Sequence, residues 1–117
     1  MSSPSVADLT RALREFARER DWEKFHAPKN LAMGLVIEAA EVAEHFQWLE
    51  PGESAALPEA TKAQVAHEIG DTLLYLLRLA DVLGIDPLAA AAAKMRINAE
   101  RYPIDKAYGR ATKYDAL

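Results

Sequence analysis

Residues 64–84, QVAHEIGDTLLYLLRLADVLG, decide the fold. No proline interrupts them, and apolar side chains recur every three or four positions, which is the period of a helix and not the alternation of a strand. At about 100° per residue, Val65, Ile69, Leu73, Leu76, Ala80 and Leu83 fall on one arc, the expected core face. Glu68 and Tyr75 flank that arc, with Asp71 somewhat further out. Leu74 and Leu77 point away from it, so a second face of the helix is apolar as well. Burial against another copy of the chain is the simplest account of that second face; a central position within one chain is the other. Residues 30–48, NLAMGLVIEAAEVAEHFQW, read the same way. Leu31, Leu35, Ala39, Val42 and Phe46 form the core arc there, Glu38 lies at its edge, Glu41 and His45 sit close beside it, and Glu44 points to solvent.

Two carboxylate pairs, Glu38 with Glu41 and Glu68 with Asp71, are each set three residues apart, so each pair shares a helix face. Four carboxylates converging from two facing helices would raise one another's pKa unless something neutralised them. An all-oxygen ligand set selects hard cations, here Mg²⁺ or Mn²⁺. The plainer alternative is a set of boundary charges that snorkel or pair with Lys and Arg. His45 suits such a site less well, because imidazole prefers softer ions. His67 faces nearly opposite and is expected at the surface.

The rest of the chain supplies two more helices and no strand. The first helix is expected from about Ser5, its N-cap, to Arg20, with Val6, Leu9, Leu13, Phe16 and Ala17 buried. DWEKFHAPKN breaks it, and Asn30 is the expected cap of the second helix. LEPGESAALPEAT reads as a loop, with Thr61 capping the third helix and Gly84 ending it. Asp86 and Pro87 start the fourth helix as N-cap and N1, and Pro103 stops it. The expectation is an all-α, four-helix bundle-type domain spanning residues 1–117, with its core over about 5–103 and a polar tail over 104–117.

Composition narrows the function. A chain of 117 residues, half of them hydrophobic, holds one core. It has no cysteine, which excludes disulfides, thiolate metal sites and a cysteine nucleophile. Neither a signal peptide nor a membrane span can be read, so a cytoplasmic protein without a membrane partner is expected. A net charge of −4 disfavours nucleic-acid polymers as partners. Free nucleotides fit, because a bound cation inverts the sign of an acidic pocket.

Several side chains outside the pairs could meet such a ligand. Trp22, Phe25 and His26 lie in the loop before the second helix and Trp48 closes that helix; each could stack on a planar group or simply pack. His26 taken alone reads as a hydrogen-bonded structural residue. In KMRINAERYP, Lys94, Asn98 and Arg101 recur at helical spacing with Tyr102 just beyond, a stripe suited to phosphates or a base, or to solvent. No glycine-rich phosphate loop and no Ser–His arrangement is present.

E-x-x-E at Glu38 and Glu41, 26 intervening residues, and E-x-x-D at Glu68 and Asp71 resemble the MazG-like all-α nucleoside triphosphate pyrophosphohydrolases. RDWEKFHAPKNLAMGLVIEAAEVAEHFQW, EIGDTLLYLLRLAD and KMRINAERYP together look like the dCTP pyrophosphatase branch, over roughly residues 9–115. The resemblance implies hydrolysis between the α and β phosphates to a monophosphate and pyrophosphate, for nucleotide-pool sanitation. It implies that Glu38, Glu41, Glu68 and Asp71 hold Mg²⁺, which would neutralise the triphosphate and activate a water. It also implies Trp22 and Trp48 at the base, Tyr75 near the sugar, Lys94, Asn98, Arg101 and Tyr102 on the nucleotide, and a homotetramer built as a dimer of dimers. The chain departs from the pattern in a shorter 49–61 loop, in Leu13 where some relatives are polar, and in a tail that reads T-K-Y at Thr112–Tyr114. Rival readings are a noncatalytic helical oligomerisation or regulatory module, and a related enzyme acting on dUTP or on a non-nucleotide diphosphate such as phosphoribosyl-ATP.

Overall fold

The computed structural model describes residues 3–117, and no strand occurs among them. They fall into two compact units, one ending at Gly84 and one running Ile85–Leu117. The first contains α1 (Val6–Glu19), a 3₁₀ turn (Glu23–Phe25), α2 (Pro28–Glu44), the single-turn α3 (Pro51–Ser54) and α4 (Glu59–Leu83). The second contains α5 (Pro87–Arg101), the single-turn α6 (Ile104–Ala107) and a closing 3₁₀ turn (Tyr114–Ala116). The all-α class and the four long helices are those expected from the sequence.

Local signals set most helix ends. Ser5 caps α1 in a reciprocal box with Asp8, which satisfies two backbone donors at once. Gly84 ends α4 in the left-handed conformation at φ 69°, and Asp86 caps α5 ahead of Pro87. Two expected caps differ. α2 begins at Pro28, and the Asn30 side chain instead donates to the Phe25 carbonyl; α4 begins at Glu59, two residues before Thr61. In both cases the helix starts at or just after a proline, whose fixed φ already suits a first turn.

The turn that ends α1 sets the direction of the chain into α2. The Trp22 amide donates to the Ala17 carbonyl and the Asp21 amide to Arg18, with Asp21 itself at φ 56°. This is the Schellman pattern with aspartate in the left-handed position that glycine usually takes. It reverses the chain sharply and delivers Trp22, and after it His26, back toward α4.

α4 is the spine of the first unit, packed along α2 and against α1. Glu41 lies opposite Glu68 and Gly34 opposite Tyr75, so α2 and α4 run antiparallel. Arg14 of α1 grips Asp81 of α4 through two bonds, Nε–Oδ2 3.0 Å and Nη2–Oδ1 2.6 Å. The expected core arc of α4 holds at Val65 and Ala80, each 8% exposed, and differs elsewhere. Leu77 is 2% exposed and Leu74 faces α1, whereas Ile69, Leu73, Leu76 and Leu83 are between 41% and 55% exposed. Periodicity reports that both faces of α4 are apolar; it does not report which one α1 covers.

Candidate active site

Glu38 and Glu41 on α2 and Glu68 on α4 each place one carboxylate oxygen within 4.8 Å of the others. All three are half-buried. Asp71, one turn beyond Glu68, stands outside this tight set, yet its charge contributes to raising the pKa of both Glu38 and Glu68. Glu38 is pushed up first by burial and then by the neighbouring Glu41 charge. Glu68 is pushed up first by the Glu41 carboxyl within hydrogen-bonding range, then by burial and by the charges of Glu41 and Asp71. His45, at the end of α2, holds Nε2 4.0 Å from Glu68 Oε1 and offsets part of that shift.

The cluster is electrostatically incomplete. Glu68 Oε2 is buried and finds no hydrogen-bond partner among the described residues, a cost that a native protein does not leave uncompensated without reason. Like charges and an orphaned oxygen in an all-carboxylate set together fit a hard divalent cation, which supplies the missing positive charge and the missing partner.

Beside the cluster a cavity of about 260 Å³ opens between α1, the turn after it, α2 and α4. Leu13, Phe16, Trp22, Leu74 and Tyr75 give it apolar and aromatic walls, Asp71 marks its carboxylate end, and His26 and Arg78 lie at its polar end. The Trp22 ring meets Phe16 edge to face, with centroids 5.7 Å apart. The Tyr75 ring is seated directly on α2: a Cβ on Gly34 would lie 2.4 Å from Tyr75 Cε1, so only glycine admits the ring there. His26 accepts a hydrogen bond at Nδ1 from Arg78 Nε, 3.0 Å away. Burial first, and the Arg78 charge second, hold its pKa down, which keeps the ring neutral as that bond requires.

Of the residues expected at the ligand, Trp22, Tyr75 and Asp71 line this cavity. Trp48 lies beyond the end of α2, outside the cavity lining and 87% exposed. Lys94, Asn98, Arg101 and Tyr102 belong to the second unit, where the Arg101 guanidinium sits 4.5 Å from the centre of the Tyr114 ring and Tyr102 meets the same ring edge-on at 6.0 Å. Arg78 is absent from the set of residues expected from the sequence. It stands in the apolar run LLYLLRLAD, and a charge on such a stretch is the one signal that could have drawn attention to it.

A model of the MazG-like family matches residues 34–117. Rat dCTP pyrophosphatase 1 is 44% identical over 97% of this chain and 68% of its own length. The human protein of the same name is 43% identical, with the same coverage. Among solved structures, that of a pyrophosphatase from Archaeoglobus fulgidus superposes with a TM-score of 0.81 at 42% identity, covering 88% of this chain and 96% of the other.

Proposed function

The chain belongs to the MazG-like family, and on that premise we propose that it is a Mg²⁺-dependent nucleoside triphosphate pyrophosphohydrolase that converts dCTP, or a modified dCTP, to the monophosphate and pyrophosphate. The observation that carries the reading is the pairing of an electrostatically incomplete carboxylate cluster with an aromatic cavity that has Asp71 at its edge. In this reading Glu38, Glu41, Glu68 and Asp71 hold the cation, with Mn²⁺ able to replace Mg²⁺. Bound there, it offsets the triphosphate charge and makes water a better nucleophile at neutral pH.

The residues of the chain do the rest. Water adds to the α-phosphorus, the bond from that phosphorus to the α–β bridging oxygen breaks, and pyrophosphate leaves. A carboxylate of the cluster takes the water's proton. Trp22 and Tyr75 hold the base and sugar, Trp48 is assigned to the base, and Lys94, Asn98, Arg101 and Tyr102 are assigned nucleotide contacts. The two units work as one domain, and the protein acts in the cytoplasm as a homotetramer on free nucleotides. The apolar residues exposed on α2 and α4 support the assembly, and no helix among the described residues is long and apolar enough to cross a membrane.

The test is incubation of the purified protein with Mg²⁺ and a panel of nucleoside triphosphates, scoring products. Monophosphate with pyrophosphate, fastest from dCTP and abolished in Glu41→Gln, is the expected result. Diphosphate with phosphate, or no turnover of any nucleotide by the wild type, would sink the proposal.

A further inference from the structure

Arg78 is the one buried charged residue among those described, at 8% exposure, and it lies in the wall of the cavity, whose other polar lining groups are His26 and Asp71. Its guanidinium is fixed from two sides: Nε donates to His26 Nδ1 at 3.0 Å and Nη1 to Asp81 Oδ2 at 3.2 Å. Asp81 is already gripped by Arg14, so a single carboxylate serves two guanidinium groups, and the neutral His26 adds no negative charge. Arg14 itself is largely exposed and outside the cavity lining, so Arg78 is the cationic group of the cavity wall. Nη2 has no acceptor among the described residues. Fixing a guanidinium this firmly while leaving donors unused makes a preformed hydrogen-bond donor site rather than a satisfied core arginine.

The position matches a nucleotide's dimensions. Asp71, Tyr75 and Arg78 follow one another along the same face of α4, and Arg78 lies about 10 Å beyond Asp71 along the axis at 1.5 Å per residue. A nucleotide lying along this face with its phosphates near Asp71 would bring its base toward Arg78. The cavity, at about 260 Å³, is the size of a single-ring base with part of its sugar.

We propose that Arg78, locked between His26 and Asp81, is the residue that reads the base, selecting the adjacent acceptors O2 and N3 of cytosine. A guanidinium has only donors. Cytosine presents two neighbouring acceptors on the edge it would meet, whereas uracil and thymine place an N3–H there, donor against donor. The cavity thereby favours dCTP over dUTP and dTTP. The inference rests on the pyrophosphohydrolase reading above and adds to it the source of base choice.

Two measurements separate its failure from failure of that reading. The first is kcat/KM for dCTP and dUTP in the wild type, Arg78→Met and Arg78→Lys. Arg78→Met should lose roughly 10- to 100-fold on dCTP, mostly through KM, and change little on dUTP, so that the preference collapses toward unity. Arg78→Lys keeps the charge beside Asp81 but loses the planar fork, and should retain only part of the preference. It also serves should Arg78→Met fail to fold, as judged by thermal melts. The second is calorimetric binding of dCMP and dUMP, which needs no turnover: dCMP should bind the wild type more tightly, and the difference should vanish with the guanidinium. An unchanged dCTP:dUTP ratio in a folded variant, or equal binding of the two monophosphates by the wild type, would overturn the assignment even with the hydrolytic activity intact. A wild type that hydrolyses nothing but still prefers dCMP would overturn the reaction and keep the pocket.

Discussion

At Glu68 one carboxylate oxygen, Oε1, lies 4.0 Å from His45 Nε2, and the other, Oε2, is buried without a partner among the described residues. Raised carboxyl pKa values at Glu38 and Glu68 mean that, between the unfolded and folded values, the folded chain holds more protons than the unfolded one. Stability therefore falls as pH rises through that window and stays lower above it. In metal-free protein, Glu68→Gln should melt at a higher temperature than wild type at pH 7, and the gain should shrink as the pH is lowered through the folded pKa of Glu68. Thermal melts across pH check the sign. Added Mg²⁺ should raise the melting temperature of the wild type more than that of the variant, by mass action on the folded state. Gly34 gives a second prediction at this scale. Gly34→Ala sets a methyl into the Tyr75 ring and should cost about 1–3 kcal/mol in denaturant unfolding, with a raised KM as the ring shifts. The acidic pairs were legible in the sequence because their spacing alone puts each on one face. Gly34 and Arg78 were not, because what gives them meaning is a neighbour on another element, and one sequence names no neighbours.

Among the elements, helix ends were readable wherever one residue type forces the geometry, as at Ser5, Gly84, Asp86 and Pro87. The end of α1 near Arg20 was legible too, but the turn that makes it was not, because Asp21 holds a left-handed conformation that aspartate takes only occasionally and that nothing nearby announces. Asp21→Gly should stabilise the chain by about 0.5–1 kcal/mol in denaturant unfolding, since glycine adopts that conformation freely. The Lys24 partner it forfeits is exposed and contributes little. The core face of α4 was legible at Val65 and Ala80 and missed between them. Leu73 and Leu77 have the same character in the sequence, yet Leu77 is buried and Leu73 is 41% exposed, a difference set by neighbours on other elements.

For the molecule as a whole, much apolar surface is left open. On α2, Met33, Val36 and Ile37 form an i, i+3, i+4 stripe, each more than half exposed, and on α4 Ile69, Leu73 and Leu76 form another. A lone soluble chain seldom leaves such stripes wet. Leu73→Lys should shift the protein to a smaller species in sedimentation and lower its melting temperature, because burial of a leucine is worth about 1.5–3 kcal/mol. An unchanged sedimentation coefficient would mean that this stripe is not the assembly surface. The sequence carried this feature in outline, as a helix with two apolar faces, while placing Ile69, Leu73 and Leu76 on the inner one.

Asp71, Tyr75 and Arg78 ride on one unbroken helix, and that continuity bears on how such a protein can change over time. Their separations are fixed by the helical rise, so a point substitution at position 78 can rewrite which base is accepted without disturbing the acids two turns away. A single-residue insertion between them would rotate everything beyond it by about 100° and lose both functions together. Lineages carrying this helix can retune the nucleotide they discard by exchange of side chains, while its length stays fixed.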